Sequence, residues 1–198
     1  MESVKSLSDA YAVQRSLSHD FNNHLSTINS LLESDNFDKA KEYVSSVSSK
    51  SFEKTILFSS NNSVVDVLLT QKYNIAKQNN INMQVKIDDL SALPMKDEDI
   101  VVVLSNMLDN AIDAAKECVD EKIIKIKFVK DNDGYILSVH NTANNNFVYN
   151  GQNVATTKED KLSHGYGIKN IKTILEKYNY DYAVSSKDGK VSFTVLIG

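Results

Sequence analysis

With 198 residues, 41% of them hydrophobic, the chain can bury the core of one ordinary domain and a small second unit. A net charge of −4 and a pI near 5.6, with Lys and Arg scattered among Asp and Glu, exclude the basic surface that direct electrostatic binding of nucleic acid needs. The single cysteine, Cys118, excludes an internal disulfide and reads as a small core residue in a reducing compartment. The longest aliphatic run, Ile100-Val101-Val102-Val103-Leu104, falls far short of the roughly 18 residues that mark a membrane span, and no signal peptide opens the chain, so the polypeptide is expected to be soluble.

From Val4 to Leu32 apolar residues recur at helical spacing, among them Leu7, Tyr11, Phe21, Leu25, Ile28 and Leu31, with no Gly or Pro between them. The spacing predicts one long helix. Ser34-Asp35-Asn36 supplies turn and cap residues, and a second amphipathic helix is expected from Phe37 through Ala40, Tyr43, Val44 and Val47. A helical hairpin alone has too little neighbouring surface to bury both stripes. Pairing with a second copy in a dimeric four-helix bundle is the expectation, and an ordinary intramolecular packing face is the rival reading. The first helix carries His19-Asp20-Phe21-Asn22-Asn23-His24-Leu25, which sets an imidazole beside a carboxylate. His19 and His24 are five apart, about 140° around the helix, so they face different directions and do not form a metal pair. His19 is the candidate phosphoryl acceptor. Asp20 can orient its imidazole and accept a proton, and Asn23, one turn on, could hold a water for the reverse, phosphatase reaction.

The polar stretch Ser59-Ser60-Asn61-Asn62-Ser63 reads as a junction, giving two domains, residues 1–60 and 61–198. Beyond it Val64–Gln78 predicts a helix, Ile81–Ile87 a strand and Asp97–Glu117 a helix. Ile123–Val129 and Tyr135–Val139 alternate around the turn cluster Asp131-Asn132-Asp133-Gly134. After a polar loop, Ile168–Tyr178 predicts a helix, and Tyr180–Ser185 with Val191–Ile197 a hairpin around Lys187-Asp188-Gly189. The fold class is therefore α+β: a helical hairpin followed by a mixed sheet with helices on one face, an α/β sandwich.

On the Asp97–Glu117 helix Asn106 and Asn110 are four apart and share a face, while Leu104, Met107, Leu108, Ala111, Ile112 and Ala115 supply the buried side. Two carboxamide oxygens suit a hard cation such as Mg²⁺, which bridges to substrate phosphates. Gly165-Tyr166-Gly167 directly precedes the Ile168–Tyr178 helix. Its expected place is a loop in front of unpaired helical amides, where phosphate binds well and glycine lets backbone approach closely.

Three segments carry a resemblance. Asn106-Met107-Leu108-Asp109-Asn110-Ala111-Ile112-Asp113-Ala114 resembles the N-box of the GHKL superfamily (gyrase, chaperone, histidine kinase, MutL). His164-Gly165-Tyr166-Gly167-Ile168-Lys169-Asn170-Ile171 resembles its glycine box. His19-Asp20-Phe21-Asn22-Asn23-His24-Leu25 is similar to the acceptor motif of peptide quorum-sensing receptor kinases of the accessory-gene-regulator type. The three span almost the whole chain in the family's order. The resemblance implies a Bergerat-type ATP-binding domain, with Asn110 on Mg²⁺, Asn106 assisting at the metal and phosphates, and Asp109, Gly165 and Gly167 at the ATP pocket.

The chain departs from the wider kinase pattern in two places. Where many histidine kinases have an Asp-x-Gly-x-Gly box, it reads Val139-His140-Asn141-Thr142-Ala143, and the resemblance to the quorum-sensing subfamily assigns the adenine contact to Asn141. Where the subfamily has Arg before the acceptor, the chain has Ser18, so charge compensation is expected elsewhere, at Lys158. ATP-hydrolysing relatives place Glu at the first N-box position to activate water. Asn106 cannot act as that base, and hydrolysis is not the expected activity.

The resemblance implies an ATP- and Mg²⁺-dependent protein-histidine kinase of a two-component system. It would work as a homodimer in the cytoplasm, phosphorylate itself on His19 and pass the phosphoryl group to an aspartate of a response regulator. Its context is either the cytoplasmic part of an inner-membrane receptor or a soluble kinase controlled by a partner. The alternative is a phosphotransfer or scaffold protein of the same architecture with an idle nucleotide site.

Overall fold

The computed structural model describes residues 2–48, 56–132, 134–144, 148–149, 154–155 and 161–198, with side chains given for these except 2–11, 148–149, 154–155 and 161–166. The chain divides into two compact units, Met1–Lys54 and Thr55–Gly198. The division falls a few residues before the Ser60 junction read from the sequence. The reason is local: the Ser60 amide donates to both oxygens of the buried Asp66 carboxylate, and the Leu57 amide donates to Thr70.

The first unit is a helical hairpin, α1 (Glu2–Glu33) and α2 (Phe37–Ser48). No Gly or Pro interrupts α1. It ends where Asp35 turns left-handed at φ 55°, a region its short polar side chain tolerates, and the Asn36 amide closes back on the Leu31 carbonyl. The two helices meet through His24, Ile28 and Leu31 on one side and the buried Ala40 with half-buried Tyr43 and Val44 on the other. His24 Nδ1 and the Tyr43 hydroxyl hydrogen-bond at 3.0 Å. A second apolar row of α1, Val13, Leu17, Phe21 and Leu25, stays exposed in the single chain, with Phe21 62% accessible.

The second unit runs α3 (Ser63–Gln78), β1 (Asn82–Ile87), α4 (Asp97–Lys116), β2 (Ile123–Asp131), β3 (Gly134–Thr142), β4 (Val148–Tyr149), β5 (Val154–Ala155), α5 (Lys161–Tyr178), β6 (Tyr182–Lys187) and β7 (Lys190–Ile197). Five strands form one mixed sheet in the order β1-β2-β3-β7-β6, with β1 parallel to β2 and the other neighbours antiparallel. The short β4 and β5 pair with each other.

Alternation along the strands decides the two faces. Ile124, Ile126 and Phe128 of β2, Leu137 and Val139 of β3, and Phe193, Val195 and Ile197 of β7 are buried under the helices. Lys125 and Lys127 of β2, with Ser192 and Thr194 of β7, lie on the opposite face. There His140 is held below its usual pKa, first by burial and then by Lys127 and Lys125, and its Nε2 pairs with Ser138 Oγ at 2.8 Å. The expected α/β sandwich is thus formed, with helices on one face.

α4 is the central helix. Ile100, Val103, Leu104, Leu108, Ile112 and Ala115 are all essentially inaccessible, and the helix packs on β2 and β3 with α3 and α5 on its flanks. Burying each large aliphatic side chain of this stripe stabilises the fold by roughly 1.5–3 kcal/mol. α5 is fastened to the start of α4 by a polar clamp. Lys177 Nζ and the Tyr178 hydroxyl both donate to Asp99 Oδ2 at 2.6 Å, and these two bonds, Lys177 first, hold the Asp99 carboxyl below the usual carboxylate range. Lys177 is raised in turn, chiefly by its hydrogen bond to Asp99.

The clamp has a definite pH signature. A folded pKa below the unfolded value of about 3.9 means that Asp99 contributes its full stabilisation above that value and loses it as pH falls through the folded pKa. Asp99→Asn should therefore melt below the wild type at pH 7. In thermal scans from pH 7 to pH 3 the gap should be constant above about pH 5 and narrow below about pH 4.

Candidate nucleotide and phosphoacceptor sites

Helical geometry brings Asn106 and Asn110 to the side of α4 that meets α5. The Asn106 Nδ2 donates to the Val102 carbonyl at 2.7 Å, which fixes the carboxamide and leaves its Oδ1 turned toward Gly167. A Cβ placed on Gly167 would sit 2.9 Å from Asn106 Oδ1 and 3.8 Å from Asn110 Nδ2. The glycine box and the N-box, about 60 residues apart in sequence, therefore meet in space, and the meeting needs the missing side chain.

One expectation is corrected here. The glycines were expected in a loop ahead of a helix beginning at Ile168. Instead α5 begins at Lys161, and Gly165-Tyr166-Gly167 forms part of its backbone. Lys161-Leu162-Ser163 contains no proline to stop a helix, and two glycines weaken one by only about 1 kcal/mol each relative to alanine. The amides at Gly165 and Gly167 are thus not at the end of the helix in this conformation, and the argument from unpaired terminal amides does not apply to them.

Asn141 lies in β3, paired with Ile124 and Val191, on the same face as Leu137 and Val139, and is buried. Its Nδ2 donates to the Thr142 carbonyl at 2.9 Å. It is placed on the helix side of the sheet, where α4 packs. Asp109 takes a different neighbour: Lys72 Nζ of α3 donates to both of its carboxylate oxygens, at 2.6 and 2.7 Å. Lys158 lies outside the described residues, as do the surroundings of Gly165.

In the hairpin, His19 and Asp20 are well exposed, with side-chain accessibilities of 73% and 62%. Two groups converge on one imidazole nitrogen. Asp20 Oδ1 lies 3.6 Å from His19 Nδ1, and Asn23 Nδ2 is hydrogen-bonded to the same atom at 3.2 Å. His19 points away from the exposed row on α1, about 160° around the helix from Phe21.

Sequence reasoning missed Lys72 and the Asp99, Lys177, Tyr178 clamp. Lys72 did leave a signal. It falls in step with Val65, Leu68, Leu69 and Ala76, all buried, and a charge in such a stripe requires a partner.

Comparison with known proteins decides the family. A family model described as the GHKL domain matches residues 95–198, more than half of the chain. The chain belongs to the GHKL family. Residues 1–57 match a second model, the α-helical domain of the Spo0B-type sensor kinase. None of the curated proteins matches. Among solved structures, the catalytic domain of the histidine kinase ThkA is 19% identical and superimposes with a TM-score of 0.53, covering 70% of this chain and 92% of that one. A second ThkA crystal form gives 18% and 0.55, covering 70% and 93%. The histidine kinase domain of the blue-light-activated kinase from Erythrobacter litoralis is 11% identical with a TM-score of 0.53, covering 68% and 64%. At these identities the likeness is one of fold.

GHKL domains bind ATP, usually with Mg²⁺. The residues present fit that pair. The space at Gly167 is one that a Cβ would fill, and the carboxamides beside it offer the oxygen donors that Mg²⁺ takes. Gly167→Ala should separate fold from site. The new methyl gains helix propensity of about 1 kcal/mol, and turning the Asn106 carboxamide off its bond to Val102 costs about as much, so the Tm should change little. Displacement of the Asn106 carboxamide should weaken Mg²⁺-ATP binding on the order of 10-fold, measured by calorimetric titration beside the melting curve.

Proposed function

We propose that this chain is the phosphoacceptor and catalytic part of a sensor histidine kinase of a two-component system. The observation that carries the reading is the contact of Gly167 with Asn106 beside Asn110 in a GHKL domain, in a chain whose other unit exposes His19 next to a carboxylate. Residues 1–60 serve dimerisation and phosphoacceptance, and residues 61–198 bind ATP. Asn110 and Asn106 hold Mg²⁺, Gly165 and Gly167 line the phosphate side, Lys158 compensates charge, and Asn141 pairs with the adenine edge, to which a carboxamide can both donate and accept. Asp109 acts at this site through its bond to Lys72.

His19 attacks in line through Nε2. The Nε2–P bond forms, the bond from the γ-phosphorus to the bridging oxygen breaks, and ADP leaves. For Nε2 to offer a lone pair, Nδ1 must carry the proton, and Asp20, already near that atom, accepts it as the imidazole becomes cationic. The Asn23 amide, which donates to Nδ1 in the other tautomer, must turn away before transfer and is then suited to hold a water for the reverse reaction. Mg²⁺ neutralises phosphate charge when bound; the chain's own part is to position donor and nucleophile.

The phosphoryl group then passes to a response-regulator aspartate. The acceptor motif favours a peptide quorum-sensing receptor kinase of the accessory-gene-regulator type as the parent protein, with this portion in the cytoplasm. No helix among the described residues is long and apolar enough to cross a membrane. The exposed row Val13, Leu17, Phe21 and Leu25 supports a homodimer through a four-helix bundle.

The deciding experiment is incubation with γ-labelled ATP and Mg²⁺. Label should appear on wild type and on His24→Gln, be acid-labile, and be lost by more than 100-fold in His19→Gln while ATP binding persists. Label retained in His19→Gln removes the acceptor assignment. The dimer is tested on the intact chain by light scattering at micromolar concentration. Phe21→Asp, which sets a charge in the middle of the row, should shift a dimeric wild type to monomer, because desolvating the unpaired carboxylate costs several kcal/mol. A monomeric wild type would sink the bundle.

A further inference from the structure

Lys72 is a charge at a core position. The buried face of α3 runs through Val65, Leu68, Leu69 and Ala76, and Lys72 continues it with a side chain only 10% exposed. Its ammonium spends its hydrogen bonds on both oxygens of Asp109. Fold stability does not require such a pair, since replacing a buried ion pair with well-packed apolar side chains is often neutral or stabilising.

The place of Asp109 supplies a reason for it. Asp109 directly precedes Asn110 and follows Asn106 by one helical turn, so it shares a side of α4 with Asn106, and its side chain is 55% exposed. A carboxylate there is a harder and more strongly binding ligand for a divalent cation than either neighbouring carboxamide. Held by Lys72, it is neutralised and turned to α3. Among the described residues no group of three or more His, Cys, Asp or Glu could hold a metal ion.

We propose that Lys72 is a positioning residue that sets the charge of the N-box: by occupying both oxygens of Asp109 it withholds that carboxylate, so that the carboxamides alone face the cation. A divalent ion is then retained only when it arrives on nucleotide phosphates, and the free metal does not fill the site ahead of the substrate. The inference rests on the Mg²⁺-ATP reading above, but its deciding titration uses the metal alone.

The test is titration of the full chain with Mn²⁺, followed by electron paramagnetic resonance. Wild type should show no binding at the N-box below about 1 mM. Lys72→Met should gain a site at least about 10-fold tighter than anything in wild type. The gain should vanish in Lys72→Met/Asp109→Asn, and Lys72→Arg, whose guanidinium can take both oxygens, should behave as wild type. Lys72→Gln repeats the measurement with a side chain that keeps a donor, should the methionine variant fold poorly. Folded Lys72→Met and Lys72→Gln with the wild-type Mn²⁺ curve overturn the proposal. So does a loss of Tm in all variants with the curve unchanged, which would make the pair purely structural. A wild type that fails to bind Mg²⁺-ATP while Lys72→Met still gains the Mn²⁺ site defeats the kinase reading and leaves the role of Lys72 in place.

Discussion

The nucleotide half of this protein depends on how closely α5 can approach α4. At Gly167 the gap is narrower than a methyl group allows, and the atom on the other side is the Asn106 oxygen. Two conditions make the approach possible. α4 must be immobile, which its nearly solvent-free apolar stripe ensures, and α5 must be held at its far end, which Lys177 and Tyr178 do by sharing one oxygen of Asp99. Glycine near the start of α5 weakens the helix where the carboxamides need room, and the clamp near its end restores the attachment. The helix is thus firm where it is anchored and weaker beside the N-box.

The buried charges of this unit follow one rule. Asp66, Lys72 and Asp99 are each largely out of solvent, and each is matched by hydrogen bonds to a named partner. Leaving any one unmatched would cost several kcal/mol, while well-packed apolar side chains could replace each matched set at little cost in stability. What they provide is register. An apolar stripe tolerates a helix rotating by some tens of degrees, because hydrophobic burial is non-directional. A donor that must reach both oxygens of one carboxylate does not. α3 is keyed to α4 at Asp109 and α5 at Asp99, so the side of α4 carrying Asn106 and Asn110 is oriented from both flanks.

Most of the secondary structure was legible because its period is unambiguous. The stripe of α4 and the alternation of β2, β3 and β7 assign elements and faces together. Asn141 could be placed at the end of its strand from the run before it. The start of α5 was not legible, since glycine was read as a boundary, yet a helix that buries Ile171 and Leu175 completely tolerates two glycines near its start. Pairings across sequence distance were also hidden: periodicity shows that Lys72 sits in a buried stripe but not that Asp109, thirty-seven positions away, is its partner. The Asn106 and Asn110 pair was read from spacing on one helix, and its standing as an N-box from the resemblance of the nine-residue run around it. Its neighbour Gly167 came from a motif, and only the fold shows that the two touch.

The hairpin works under a different constraint. One long helix carries both an exposed apolar row and an exposed imidazole, and a period of about 3.6 residues lets it present them on different sides. Val13, Leu17, Phe21 and Leu25 advance by four and fall along one side; His19 lies two residues from Leu17 and from Phe21, which sends it to the other. Covering the row therefore leaves the imidazole accessible. His24, five residues on, turns toward α2 and spends its Nδ1 on Tyr43. The two histidines of one short motif are thereby divided by helical phase alone: one is committed to packing, and the other stays exposed beside Asp20.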